Sequence, residues 1–279
     1  MRIDKSIALA LSSLGFSSHC GRTAILMYHS ISNRTGPPRH PYFNTQTTPA
    51  RFEQHLRWLH EACASVVPLD QWNTPVSAPD TLRVCITFDD GFADFKTTAL
   101  PLLAAQGFVA TMFLPTAFIG TGTELIGGAA HLTWDDVKAV YQQGMSIGSH
   151  SVNHRHFDQL SAAAITSEVH DSAEAIQAKA GITITAFSCP YAFPTAHPVA
   201  VATIRSALKA GGYMVGVTTK IGTVSPNDDP YTLRRIPMNT DDDQQLFMAK
   251  VNGAYNWLGS IQHAVRLTKK ALQPYRQKV

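Results

Sequence analysis

Short apolar runs alternate with amphipathic stretches along this chain. The runs at residues 24–28, 65–68, 83–88, 109–114, 146–149, 185–188, 214–218 and 232–236 are the right length and composition for strands. Between them lie segments with helical spacing. In residues 49–62, Phe52, Leu56, Leu59 and Ala62 share one face. Residues 94–107 close on Gly107. Residues 132–144 open on a Thr133 cap with Asp136 three positions on, and stop at Gly144. Residues 161–181 carry an apolar stripe that ends at Gly181, and two more helical segments follow at 195–212 and 241–259. Strands alternating with helices imply a mostly parallel sheet, open or closed into a barrel. Function in such sheets gathers where strands end and loops begin. Residues 33–48, rich in proline, and 120–130, rich in glycine, read as loops near such ends.

Composition narrows the classes. The chain has 279 residues, 44% hydrophobic and 15% charged, which suits one sizeable core, although the length alone would also permit two domains. A net charge of +3 is too small to argue for a nucleic-acid partner. Residues 266–278 are mildly basic and read as a solvated terminal helix. No run of apolar residues is long enough for a transmembrane segment. Cys20, Cys63, Cys85 and Cys189 form no CxxC pair and suggest no disulfide framework, which leans toward a reducing compartment. "MRIDKSIALALSSLGFSSHC" has the early cations and apolar run of a signal peptide, but Asp4 and the serines interrupt it. A helical lead-in is an equal reading, and a cytoplasmic location is favoured over export.

The strand ends carry the chemistry. "TFDDG" supplies Asp89 and Asp90, "IGSHSVNH" supplies His150 and His154, "SCPYAFP" supplies Tyr191, and "LMYHSIS" supplies His29. Adjacent carboxylates repel, and burying them is costly unless something compensates. The His-x3-His spacing puts both imidazoles on one side of a helical turn, where they can share a metal. One Asp with two His is a three-ligand set that leaves positions open, which suits a catalytic metal. Neighbouring strand residues point to opposite sides, so the two aspartates divide the work. One binds the cation, whose charge supplies the compensation; the other stays ionised as a base. Read alone, "DDG" is also an ordinary loop start. His55, His60, His131, His170, His197 and His263 read as ordinary helix or loop residues. His156 reads as loop surface, and Phe113 and Trp134 as packing.

Taken together, "TFDDGF", "HSVNH" and "PYAFP" resemble the polysaccharide deacetylases of carbohydrate esterase family 4, with the NodB-homology fold, over roughly residues 22–240. "ILMYHSIS", "FEQHLRWL" and "VVPLDQW" are similar to the branch that includes poly-N-acetylglucosamine deacetylases, where the catalytic acid comes from the N-terminal end of the domain. The resemblance implies Asp89 as general base. It implies a divalent metal, most often zinc with cobalt or nickel as alternatives, held by Asp90, His150 and His154. It implies an oxyanion held by that metal and the Tyr191 N–H, and His29 as the acid that protonates the leaving amine. The family often has an arginine two residues before the proline of the third motif; here Ser188 stands there. "LRRIP" offers Arg234 or Arg235 instead, and we expect Arg235 to reach Asp89. The usual glycine after Pro-Tyr is Ala192, and the family's Asp-x-x-Asp-Trp motif is not visible.

The expected architecture is α/β, a distorted (β/α) barrel with mostly parallel strands at residues 22–240. Residues 1–21 are a helical lead-in or weak signal-like segment, and 241–279 a C-terminal helical extension. The expected activity is a metal-dependent deacetylase acting on an N-acetylated glycan or sugar. The same apparatus would serve an amidase or O-acetyl esterase acting on a small non-polymeric substrate. A catalytically inactive carbohydrate-binding protein is a different class, and the presence of base, ligands and acid together argues against it.

Overall fold

The apolar runs become strands of one parallel ring. The computed structural model describes residues 3–15, 19–34, 44–74, 80–122, 129–259 and 261. Its strands are β1 (Thr23–Tyr28), β2 (Ser65–Val66), β3 (Arg83–Phe88), β4 (Thr111–Leu114), β5 (Ser146–Ser149), β6 (Ala186–Ser188), β7 (Val215–Ile221) and β8 (Leu233–Pro237). They follow one another in the order β1-β8-β7-β6-β5-β4-β3, and β1 also pairs along its whole length with β3, so seven strands close into a barrel. The short β2 pairs with the first two residues of β3, and β4 with the last two. The barrel is uneven. Val217 pairs with Leu233 and Ile221 with Arg235, so four steps along β7 match two along β8.

Period-two alternation sorts the strand side chains into two cores. Ile25, Cys85, Phe113, Ala186, Val215, Val217 and Leu233 fill the barrel, with Leu69 and Trp72 packed among them. Ala24, Leu26, Tyr28, Val84, Ile86, Phe88, Met112 and Leu114 point outward into the layer under the helices. Following the inward set toward the strand ends leads to polar residues. Thr87 lies two positions after Cys85, Ser188 two after Ala186, and Arg235 two after Leu233. The barrel is therefore apolar inside and becomes polar at the end where the site sits.

The helices are α1 (Ile3–Ser13), α2 (Pro49–Glu61), α3 (Leu100–Ala105), α4 (Trp134–Gln142), α5 (Ala162–Ala180), α6 (Pro198–Ala210) and α7 (Gln244–Val251). The α4 start is a capping box of Thr133 and Asp136, and α5 ends on Gly181 in the left-handed region. Other helical expectations shift for identifiable reasons. The segment at 94–107 begins as a π-helical stretch, Phe95–Ala99, before α3. Pro101 lacks an N–H and crowds the carbonyl four residues back, which widens the preceding turn. The segment at 241–259 breaks after Val251 at a turn where Gly253 takes φ +88°. On α2, Ala62 is an exposed C-cap rather than part of the apolar face, and His55 is buried there instead. The loops expected at 33–48 and 120–130 lie partly, and the basic segment at 266–278 wholly, outside the described residues. Among the described residues no helix is long and apolar enough to cross a membrane.

The helical ends of the chain are tied to the barrel through ion pairs and packing. Ala8 of α1 is buried against Leu246 and Ala249 of α7, and Lys5 pairs with Asp243. The buried Lys250 reaches both carboxylate oxygens of Asp242 at 2.8 and 2.7 Å, and the Pro237 carbonyl at 2.8 Å. His55 bridges this pair to the barrel wall. Its Nδ1 is 3.0 Å from the Tyr28 hydroxyl, its Nε2 is 3.1 Å from the Asp242 carbonyl, and its ring stacks on Phe247 at 4.4 Å.

Burial pushes the His55 imidazole down from 6.5 to about 4, with Asp242 only partly opposing it. The unfolded chain then binds more protons than the folded one between about pH 6.5 and pH 4, so His55 costs stability as pH falls through that window. We predict that the urea midpoint of the wild type falls more steeply from pH 7.5 to pH 5 than that of His55→Gln, by roughly 2 kcal/mol in unfolding free energy. Parallel pH profiles for the two proteins would contradict this account of His55.

Candidate active site

Both aspartates leave β3 at the barrel mouth, and they leave in different directions. Asp89 keeps an extended backbone role: its N–H donates to the Tyr28 carbonyl at 3.0 Å. Its parity matches Thr87, so its side chain turns inward. Asp90 adopts φ +71° and Gly91 φ +64°. A Cβ on Gly91 would lie 2.9 Å from Ile119 Cδ1, in addition to the unfavourable φ, so glycine is needed there.

Arg235 rises from β8 inside the barrel to meet Asp89. Its Nη1 donates to Asp89 Oδ1 at 2.8 Å and its Nη2 to Oδ2 at 2.6 Å. The remaining donors go to the Thr218 carbonyl from Nε (3.0 Å), Thr87 Oγ1 from Nη1 (3.2 Å) and Ser188 Oγ from Nη2 (3.0 Å). All the guanidinium N–H groups are thus used while the side chain is wholly buried. The guanidinium also lies 5.9 Å from the Phe113 ring centre. Ser188 Oγ in turn donates to Asp89 Oδ1 at 3.1 Å. Burial raises the Asp89 carboxyl, but Arg235 and then His150 bring it down to about 2. Arg234 points elsewhere, pairing with Asp228 at 2.7 Å.

Asp90 faces the two histidines. Its Oδ1 is 3.5 Å from His150 Nε2 and 3.2 Å from His154 Nε2. One ligand atom from each of Asp90, His150 and His154 lies within 4.8 Å of the others, and all three residues are buried. The Nδ1 of His150 is 2.8 Å from the Ser188 carbonyl, which keeps a proton on Nδ1, so that Nε2 is the nitrogen that can turn a lone pair to a cation. The Nδ1 of His154 is buried with no hydrogen-bond partner. Burial opposes ionisation of Asp90, yet the two histidines hold its carboxyl well below the usual range. Burial lowers the His150 imidazole, but Asp89 and Asp90 carry it above its ordinary value. Burial lowers His154 and the contacts to Asp90 do not restore it, with the charge of His150 adding to the fall. Two imidazole Nε2 atoms aimed at one carboxylate oxygen are a donor set that a divalent cation, in place of protons, fits.

The histidine pair is not helical, contrary to the expected helical turn. Ser151 has φ +65° and His154 φ +50°, so residues 150–154 form a tight loop that turns both rings the same way, 4.8 Å apart. Tyr191 is a further left-handed residue, at φ +53°. Its ring sits 4.5 Å from His154 and stacks at 3.7 Å on His156, which is exposed loop surface as expected. The Tyr191 carbonyl accepts from Thr219 Oγ1 at 2.8 Å, and its N–H has no acceptor among the described residues. Only five non-glycine described residues have positive φ, and Asp90, Ser151, His154 and Tyr191 are four of them, which concentrates backbone cost at this one place.

His29 follows β1 and is half-buried, with its Nδ1 buried and without a hydrogen-bond partner. Its charge favours the ionised form of both Asp89 and Asp90, which places it on the same side of the barrel mouth. Ser30 beside it donates to Asp94 Oδ2 at 2.5 Å, tying the His29 loop to the "DDGFAD" loop. Neither Asp94 nor Thr87 stands out in the sequence, because each acts only through a partner brought in by folding.

Known proteins share this arrangement of chain. Residues 77–214 match the family description "Polysaccharide deacetylase". The Bacillus subtilis (strain 168) protein described as "Putative polysaccharide deacetylase YxkH" is 33% identical over 231 residues, which cover 81% of this chain and 75% of that protein. Among solved structures, the Streptococcus pyogenes deacetylase PplD in complex with acetate superposes with a TM-score of 0.68 at 24% identity, covering 82% of this chain and 98% of that one. The de-N-acetylase from Aggregatibacter actinomycetemcomitans gives 0.66 at 20% identity, covering 81% and 98%. These structural likenesses carry the fold, and the B. subtilis relative carries the kinship. This chain belongs to the polysaccharide deacetylase family of hydrolases.

Proposed function

We propose that this protein removes N-acetyl groups from an amino sugar, in a polysaccharide or glycan precursor, with a divalent metal at Asp90, His150 and His154. The observation that carries the reading is the convergence of two histidine Nε2 atoms on Asp90 Oδ1 beside a second, separately clamped carboxylate. Zinc suits two imidazoles and a carboxylate best, with cobalt or nickel as substitutes. When bound, the cation polarises the acetamide carbonyl and acidifies water.

The chain's own residues do the rest. Asp89, held ionised by Arg235, would take the proton from the attacking water. Arg235 fixes both Asp89 oxygens, so the base has one orientation. The Tyr191 N–H, left without a protein acceptor, donates to the oxygen that gains charge as the amide carbon becomes tetrahedral. His29 gives a proton to the departing sugar amine, and acetate is the other product. The name of the A. actinomycetemcomitans de-N-acetylase and the acetate in the S. pyogenes structure support an acetyl group on nitrogen. The similarity of "ILMYHSIS" to the poly-N-acetylglucosamine deacetylase branch supports His29 as the acid.

Acetate release from N-acetylglucosamine oligomers tests the reading. Chelation of the metal is expected to abolish turnover, and zinc or cobalt to restore it. Asp89→Asn is expected to lose 10²- to 10⁴-fold in kcat, roughly the worth of a general base. Full activity in Asp89→Asn would remove the assigned mechanism, and turnover on O-acetyl esters alone would replace the amide substrate.

Arg235→Met should also act on the fold. It leaves the Asp89 charge buried and unpaired, at a cost of about 3–5 kcal/mol read from urea unfolding at pH 7. The loss should shrink in acid. A depressed carboxylate contributes its stability above the unfolded value of about 3.9, and that contribution disappears as pH falls through the folded value. A cost independent of pH between 7 and 3 would contradict the ion-pair account.

A further inference from the structure

The loop that carries both histidine ligands is held from behind by a carboxylate. Glu168 sits on α5 among Ile165, Val169, Ser172 and Ile176, all buried, and is itself only 5% exposed. A charged residue on the apolar stripe of a helix is rarely left there without partners. Its Oε2 accepts the backbone N–H groups of Val152 and Asn153, each at 2.9 Å, and its Oε1 accepts Asn153 Nδ2 at 2.8 Å. Bonds from N–H donors to a charged carboxylate are stronger than neutral ones.

Those N–H groups belong to the middle of the His150–His154 loop. The rest of the loop is pinned through hydroxyls and carbonyls. Ser149 Oγ accepts the Ser151 N–H at 3.1 Å, and Ser151 Oγ accepts the His154 N–H at 3.1 Å. The Ser151 and Val152 carbonyls accept the N–H groups of Thr116 and Ala117. Ser151 and His154 both hold left-handed backbone conformations, which cost of order 1 kcal/mol each and persist only where the surroundings impose them. Glu168 supplies the only charge in that set of restraints, and it comes from a helix outside the barrel.

We propose that Glu168 is a positioning residue for the metal site, setting the aim of His150 and His154 toward Asp90 by clamping the two N–H groups between them. The proposal rests on Asp90, His150 and His154 being the ligands. It predicts an effect on metal affinity as well as on folding.

The test compares zinc affinity, by competition with a chromophoric chelator, in wild type, Glu168→Ala and Glu168→Gln, together with melting temperatures with and without zinc. Glu168→Ala should bind zinc about 10- to 100-fold more weakly, the usual cost of losing a group that orients metal ligands. Glu168→Gln still offers one acceptor oxygen but turns an amide donor toward Asn153 Nδ2, so it should weaken binding less. The rise in melting temperature on adding zinc should shrink in the same order. A purely architectural Glu168 would lower both melting temperatures equally and leave zinc affinity within about twofold of wild type; that result overturns the proposal. If Glu168→Ala does not fold, Glu168→Gln decides by the same criterion. Wild-type zinc binding that is absent, or unaffected by His150→Ala, overturns the ligand assignment itself and the positioning role with it.

Discussion

One buried ion pair organises the mouth of this barrel. Arg235 is wholly buried and Asp89 nearly so, and neither charge would be tolerable there alone. Paired, they fit because every guanidinium donor finds an oxygen: two on Asp89 and one each on Thr87, Ser188 and Thr218. That geometry fixes the floor of the site. It leaves Asp89 ionised and immobile, and it gives Asp90 the neighbouring position from which to face the histidines. Ser188 joins the two halves, because its hydroxyl touches Asp89 and Arg235 while its carbonyl orients His150. Ser188, small and polar, thus leaves room for a guanidinium that arrives from another strand.

Around that floor the backbone is bent into unfavourable shapes. Asp90, Ser151, His154 and Tyr191 all sit in the left-handed region, each on a loop leaving a strand. Short polar side chains and Glu168 absorb the cost with hydrogen bonds to the bent segments. The result is a set of side chains that point at one another because the chain beneath them has few other arrangements available.

Most of the architecture was legible from period and punctuation. The strands at 83–88 and 146–149 match their expected bounds residue for residue, the first because a buried parallel strand is a largely apolar run. The Thr133 cap and the Gly181 stop are local signals that tertiary packing left in place. The candidate site residues follow strand ends, as expected, and folding brings Asp89, Asp90, His150 and His154 together. What could not be read is what depends on long-range partners. The "HSVNH" spacing fits a helical turn equally well, and only the pinning of Ser151 and His154 decides for a loop. His55 reads in the sequence as an ordinary helix residue, and Glu168 carries no signal of its own there. Their partners, Tyr28 and Asp242 in one case and the Val152–Asn153 backbone in the other, lie far away in sequence. Pro101 was visible too, but its π-helical consequence needs the packed neighbours that keep the helix going.

The Arg235–Asp89 pair joins positions 146 residues apart, from β8 to β3, and His29 arrives from β1. The motif residues of "TFDDG" and "HSVNH" lie well before β8 in the chain. The last strand, β8, fills the gap between β1 and β7 and brings the counter-ion for a carboxylate that leaves β3. The geometry of the mouth is therefore a property of ring closure: the last strand both seals the barrel and supplies the charge that pairs with the first aspartate. An incompletely closed chain would carry both the "TFDDG" and "HSVNH" motifs and still leave the Asp89 carboxylate without its clamp.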